Sequence, residues 1–139
     1  MHRIEPYPLW LGHVGDLREP ALLFAAEIRA IVDLAANEPF PQLPRDFVYC
    51  RFPLLDGEGN DPALLRVAVR TVGGLVSAGI PTILCCSNGL SRSPAVAAAT
   101  IGTADHLSLD AALIHVASQV QHDVSPTLWR DLKTALVEN

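Results

Sequence analysis

The sequence predicts an α/β fold, a three-layer sandwich in which a central, mainly parallel sheet is flanked by helices. Three observations lead there. Residues 80–86 form a continuous apolar run after Gly79, the pattern of a strand buried on both faces. Leu64, Leu65, Ala68, Val69, Val72 and Leu75 recur at helical spacing. Segments of these two kinds alternate along the chain, and strands that alternate with helices pair in parallel because each helix carries the chain back across the sheet.

Taken in order, 9–11 and 31–35 are short apolar runs between turn formers and read as strands, while 20–29 reads as a helix opening on Pro20, tolerated where the first turn lacks amide partners. Pro39, Pro41 and Pro44 mark one long loop. Residues 47–53 alternate, with Val48, Cys50 and Phe52 on one face and Phe47, Tyr49 and Arg51 on the other, the two-residue period of a strand. Asp61 before Pro62 reads as the N-cap of the long helix, which ends near Ala78 and Gly79. After the 80–86 strand, alanines and a proline in the first turn favour a helix over 94–100, and two more follow over 109–120 and from 126 or 127 to 137.

The chain has 139 residues, half of them hydrophobic and only 18% charged, which suits one folded domain over 1–139 and excludes a disordered chain. A net charge of −5, with one lysine, Lys133, and no basic tract, argues against nucleic acid or an anionic membrane as a partner. No apolar stretch approaches the roughly 20 residues of a membrane span. Prolines 6 and 8 and Glu5 interrupt the start where a secretory signal needs an apolar core. These features predict a soluble, cytoplasmic protein. Cys50, Cys85 and Cys86 form neither an even disulfide framework nor a zinc motif, and the five histidines are dispersed, so no metal and no cofactor is expected.

The chemistry concentrates where the 80–86 strand meets the next helix, the position at which open α/β sheets place ligands. The loop reads Cys86-Ser87-Asn88-Gly89-Leu90-Ser91-Arg92-Ser93. A loop curled around a helix N-terminus binds anions through backbone amides, which makes Ser87, Asn88, Gly89, Leu90 and Ser91 candidates for holding a phosphate or similar oxyanion. Gly89 lets the backbone approach closely. Arg92 adds a charged planar fork for two phosphate oxygens, and the same positive surroundings favour a thiolate on Cys86, the candidate nucleophile. Ser93 is placed to hydrogen-bond the sulfur. A leaving oxygen needs a proton, and Asp56, in a glycine-containing loop after the 47–53 strand, is the leading acid. Asp61 and Glu58 compete, Asp61 being explained as a cap.

These segments resemble the dual-specificity branch of the cysteine-based protein phosphatases, whose signature is His-Cys-x5-Arg-Ser/Thr. Cys86 to Ser93 matches from the nucleophile onward, Tyr49-Cys50-Arg51-Phe52-Pro53-Leu54-Leu55-Asp56 is similar to the segment that ends on the family's acid, and Leu9-Trp10-Leu11-Gly12 and Val124-Ser125-Pro126 extend the likeness. The resemblance implies a protein tyrosine phosphatase-like fold of the small atypical type, a phosphocysteine on Cys86, Asp56 as acid and then base, and no metal. The family's histidine before the nucleophile is here Cys85.

Three functions are carried forward. The first is hydrolysis of phosphotyrosine or phosphoserine/threonine in a protein, or of a small phosphomonoester. The second is a phosphatase acting on a non-protein phosphoester, disfavoured because Ser87, Asn88 and Leu90 add no charge for a polyanionic head group. The third is a phosphate-binding pseudophosphatase, which Cys85 alone supports. Cys85 is expected to face away from Cys86 as a core residue. Cys50 is a candidate redox partner of Cys86 if their strands are adjacent. Trp129 reads as core or packing lid, and both it and His122 are candidates for the pocket rim.

Overall fold

The structure, a computed structural model, describes residues 1–137. Its centre is a five-stranded sheet built from β1 (His2–Arg3), β2 (Leu9–His13), β3 (Ala30–Ala35), β4 (Val48–Leu54) and β5 (Thr82–Cys86), in the order β1-β2-β5-β3-β4. All pairs are parallel except β1 with β2. Every residue of β3 and β5 is buried, which is why, apart from Asp33 and Thr82, their sequences are apolar on both faces.

The helices are α1 (Pro20–Ala25), α2 (Pro62–Ser77), α3 (Arg92–Asp105), α4 (Leu109–Ala117) and α5 (Pro126–Val137). One face of the sheet packs Val32, Leu84 and Cys86 against residues of α2, α3, α4 and α5. The other packs Ile31, Ile83 and Cys85 against Leu17 and Leu23, from a 3₁₀ turn (Val14–Arg18) and α1. This is the expected three-layer α/β arrangement, with one thick helical layer and one thin one. α3 is buried from Arg92 to Gly102 because it lies between the sheet and α4, so its sequence shows no polar stripe.

α2 begins as expected, with the Asp61 carboxylate accepting from the Ala63 amide at 2.9 Å. It ends on Gly79 at φ +73°, where Gly79 N donates to Val76 O and Ile80 N to Leu75 O, both at 3.0 Å. α1 closes by the same motif, Glu27 N to Phe24 O and Ile28 N to Leu23 O, so it stops at Ala25 rather than 29. Here a glutamate takes the left-handed position, at φ 63°, and no glycine marks the stop. α4 also ends short of 120, at Ala117. Past it, the Gln119 side chain bonds the backbone of Glu5 in both directions, at 2.8 and 3.0 Å, which ties this turn to the start of the chain. α3 starts two residues earlier than expected, at Arg92. Among the described residues no helix is long and apolar enough to cross a membrane.

Candidate active site

Cys86 ends β5 beside the ends of β2 and β3, and α3 starts at Arg92, so loop 87–91 wraps a helix N-terminus at the carboxyl edge of the sheet. The loop lies against β2. Gly89 has φ +80°, and a Cβ there would stand 3.1 Å from the Gly12 carbonyl oxygen, so a larger residue meets both strain and backbone. Asn88 Oδ1 accepts from Leu90 N at 3.0 Å, and Leu90 O accepts from Asp123 N at 2.7 Å. The Leu90 amide, a candidate for the anion, is thus turned to a neighbouring side chain in this structure.

Helix geometry leaves the amides of the first turn of α3, those of Arg92 and Ser93, without intrahelical acceptors, and Pro94 has no amide to pair. The N-cap position is Ser91, yet its hydroxyl caps nothing. It donates to Asp56 Oδ1 at 2.5 Å and accepts from Ser125 N at 2.9 Å. A buried helix start therefore presents open donors, and Ser91 links the acid loop to the segment before α5.

Arg92 is only 5% exposed. Its Nη1 donates to Asn37 Oδ1 and to Leu54 O, each at 3.0 Å, and its Nη2 donates to Ser87 Oγ at 2.9 Å. Ser87 Oγ in turn donates to Asn37 Oδ1 at 3.1 Å. Of the five N–H donors of a guanidinium, three are placed by these contacts. The buried Nε has no partner, nor does Ser93 Oγ one residue later. The hydrogen bond expected from Ser93 to the Cys86 sulfur is thus not made in this structure. A buried donor left unmatched costs about 1–3 kcal/mol, so the orphaned Arg92 Nε at a positive helix end suits an oxyanion.

A cavity of about 310 Å³ opens over these groups, lined by residues of three segments that include Asn37, Asp56, Ser87 and Arg92. Cys86, 1% exposed, precedes Ser87 and is not itself part of the cavity wall. A larger cavity of about 390 Å³ is lined by Val14, Leu17, Arg18, Asp33 and segment 38–42, but it holds neither Cys86 nor Arg92. Its buried carboxylate, Asp33, already accepts from Tyr49 Oη at 2.7 Å and Ala35 N at 3.1 Å. Chemistry, not size, selects the smaller one.

Of the three carboxylates considered as acid, Asp56 alone lines the cavity. Asp61 is the α2 cap, and Glu58 is exposed and pairs with Arg130 at 3.8 Å. The acid loop is not open: Leu55 N donates to Asn60 Oδ1 at 2.8 Å, and Asn60 Nδ2 donates to Leu55 O at 3.0 Å and Gly57 O at 3.3 Å. Asn60 holds Asp56 at the end of a stitched turn rather than on a freely closing flap.

Cys85 and Cys86 pack on opposite faces of the sheet, as neighbours on a strand must. Burial, reinforced by the charges of Asp33 and Asp16, pushes the Cys85 thiol up, so it stays protonated. A Cys50 to Cys86 pairing meets an obstacle the sequence did not show: β3 lies between β4 and β5, and Cys50 is level with Val32 and Leu84. Two strand spacings put their Cα atoms roughly 10 Å apart or more, beyond the reach of about 7 Å for a disulfide. Trp129 is core, 8% exposed, with Nε1 donating to Asp110 Oδ1 at 2.8 Å, while His122 is exposed next to Asp123. Neither lines the cavity. Among the described residues no group of three or more His, Cys, Asp or Glu side chains is arranged to hold a metal ion.

Asn37 and Asn60 belong to no motif in the sequence, and Ser125 enters only through the likeness of Val124-Ser125-Pro126, with no role attached. The available signal was weak: Asn37 follows a buried strand by two residues, at the sheet edge where ligands gather.

This fold recurs in solved structures. Human DUSP28 is 27% identical and superposes with a TM-score of 0.86 over 99% of this chain and 96% of its own. A mouse putative dual specificity phosphatase, solved in complex with zinc tungstate, is 26% identical, with a TM-score of 0.84 over 96% of this chain and 84% of its own. The human tyrosine phosphatase-like serine/threonine/tyrosine-interacting protein, with a TM-score of 0.84 over 99% and 96%, is 19% identical and shares the fold alone. No family model matches the sequence, and no curated protein matches it. Fold and loop order together are those of protein tyrosine phosphatase-like structures. Among these, the chain is similar to the small dual-specificity phosphatases over nearly its whole length.

Proposed function

We propose that this chain is one catalytic domain that hydrolyses phosphomonoesters through a phosphocysteine on Cys86, with phosphotyrosine or phosphoserine/threonine in a protein as the substrate class. The observation that carries the reading is the uncapped start of α3. There the orphaned Arg92 Nε and Ser93 Oγ sit within seven positions of Cys86 in the chain, and Asp56 lines the same cavity.

The phosphate enters against loop 87–93, its oxygens taking the open amides and the Nε–H and free Nη2–H of Arg92, two donors along one edge of the guanidinium. The Cys86 thiolate attacks phosphorus in line; the P–S bond forms as the bond to the substrate oxygen breaks. Donors at the equatorial oxygens stabilise the charge spread there in the transition state. The leaving oxygen takes a proton from Asp56. Ser91 Oγ accepts from Ser125 N and so gives its only proton to Asp56 Oδ1, which leaves Oδ2 as the oxygen that carries and delivers the acid proton. In the second half Asp56 takes a proton from water, the water oxygen attacks phosphorus, and the P–S bond breaks to release phosphate and the thiolate. Ser93 Oγ, without a partner before the reaction, is available to hydrogen-bond the departing sulfur.

This chemistry needs free thiols, and all three cysteines are free. A reducing, cytoplasmic compartment fits that requirement. Among the described residues no cation besides Arg92 lines the cavity, which favours a single phosphate over a polyphosphorylated head group. A phosphate-holding role without turnover keeps every contact of Arg92 but leaves the fixed placement of Asp56 without a purpose.

Turnover of a chromogenic aryl phosphate in the presence of a chelator tests the proposal. Wild type is expected to turn over, Cys86→Ser to lose all activity, and Asp56→Asn to fall roughly 100- to 10,000-fold in kcat, the usual range for a general acid. Retained activity in Cys86→Ser, or turnover abolished by the chelator, would overturn it.

A further inference from the structure

Arg92 is a buried cation held entirely by neutral acceptors. Among the described residues it makes no ion pair: its partners are an amide oxygen, a hydroxyl and a backbone carbonyl. A buried arginine is ordinarily matched by a carboxylate, because an unpaired charge taken out of water is costly. Here the side-chain acceptor common to Arg92 and its neighbour Ser87 is Asn37, whose single Oδ1 takes hydrogen bonds from both.

The donor count shows what this does. Asn37 Oδ1 and Leu54 O occupy both Nη1 hydrogens, and Ser87 Oγ, itself oriented by Asn37, occupies one on Nη2. What remains is Nε–H and the second Nη2–H, the bidentate edge that matches two phosphate oxygens. Asn37 is in turn held from behind. Arg51 Nη2 donates to Ala35 O at 3.1 Å and Glu38 O at 2.7 Å, clamping the backbone on both sides of it, while the Arg51 guanidinium lies 4.4 Å over the Phe40 ring.

We infer that Asn37 is a positioning residue for the anion site: it aims the free edge of Arg92 at the oxyanion and, being neutral, leaves the full positive charge of Arg92 for the ligand. The inference rests on the phosphatase reading only for the identity of the substrate, since any tetrahedral oxyanion meets the same edge. The roles of charge and aim separate in two variants. Asn37→Asp keeps an acceptor at the same place and adds a negative charge between Arg92 and Ser87. Asn37→Ala removes the acceptor and adds no charge. Asn37 is exposed on its outer side, so both variants are expected to fold, which thermal melting checks.

The test measures tungstate and inorganic phosphate affinity by calorimetry, in wild type and in a Cys86→Ser background where no turnover intervenes, together with KM and kcat on an aryl phosphate. Asn37→Asp is expected to weaken both oxyanions at least tenfold and to raise KM by a similar factor with a smaller change in kcat. Asn37→Ala is expected to weaken them less than Asn37→Asp. Oxyanion affinity unchanged in Asn37→Asp, or weakened equally in the two variants, would overturn the inference even where turnover is normal. A wild type that binds tungstate without turnover, with binding lost in Asn37→Asp, would refute the phosphatase reading and support the role of Asn37.

Discussion

Ser91 shows how much one side chain does in this site. By spending its hydroxyl on Asp56 and Ser125 it leaves the start of α3 uncapped, and in the proposed mechanism this leaves Oδ2 of Asp56 to hold the acid proton. Ser91→Ala is expected to lower kcat about tenfold, since a proton donor displaced slightly loses much of its contribution. It should also lower unfolding free energy by about 1–2 kcal/mol, through the unmatched Ser125 amide. Kinetics and denaturant titration check both, and unchanged kcat would show that Asp56 does not depend on this contact. Asp56, Ser87 and Arg92, which the fold brings to one cavity, were readable in the chain because they fall in one short loop plus one carboxylate at a strand end. The contacts of Asn37 and Ser125 were not, since they join positions 34 to 55 residues apart and depend on which loops the fold brings together. The unformed Ser93 contact, too, is a matter of rotamer rather than of sequence.

Among the elements, strand and helix order followed from apolar patterning, and the errors lie at ends where a side chain outside the pattern decides. Glu27 closes α1 in a conformation that glycine usually takes, so its sequence carries no stop signal. β1 has two residues, too few for any period. α2, by contrast, announces its start: Asp61→Ala is expected to lower stability by about 1 kcal/mol without changing KM, measured by denaturant unfolding. Strand order gives a second expectation. With β3 between β4 and β5, mild peroxide treatment should yield no Cys50 to Cys86 peptide cross-link, and finding one in the folded protein would contradict the sheet order.

For the molecule as a whole, two phenols bond carboxylates across elements: Tyr7 joins the segment after β1 to Asp105 at the end of α3, and Tyr49 joins β4 to Asp33 of β3. Burial, then the hydrogen bond and charge of its partner, pushes Tyr7 up to about 12, and the same causes push Tyr49 up as well. The folded state therefore holds these protons more tightly than the unfolded chain, whose tyrosines titrate near 10. Their contribution to stability is complete below about pH 10 and is lost as pH rises through the folded values. The buried Cys85 thiol, also held above its ordinary range, starts a loss of unfolding free energy from about pH 8.5, the tyrosines add a steeper loss above about pH 10, and Tyr49→Phe should blunt that second part. A fall of equal steepness in the variant would locate its cause elsewhere.

The most direct test of Cys86 as nucleophile is to catch phosphorus on it. Asp56→Ala mixed with an aryl phosphate whose phenolate leaves unaided should pass the first step and stall at the second, where the aspartate is needed as base. Rapid acid quench and intact mass are expected to show one added phosphoryl group, mapped by peptide sequencing to Cys86 and missing when Cys86→Ser is combined with the same change. Phosphate found on another residue, or turnover that continues with no phosphoenzyme, would contradict the mechanism.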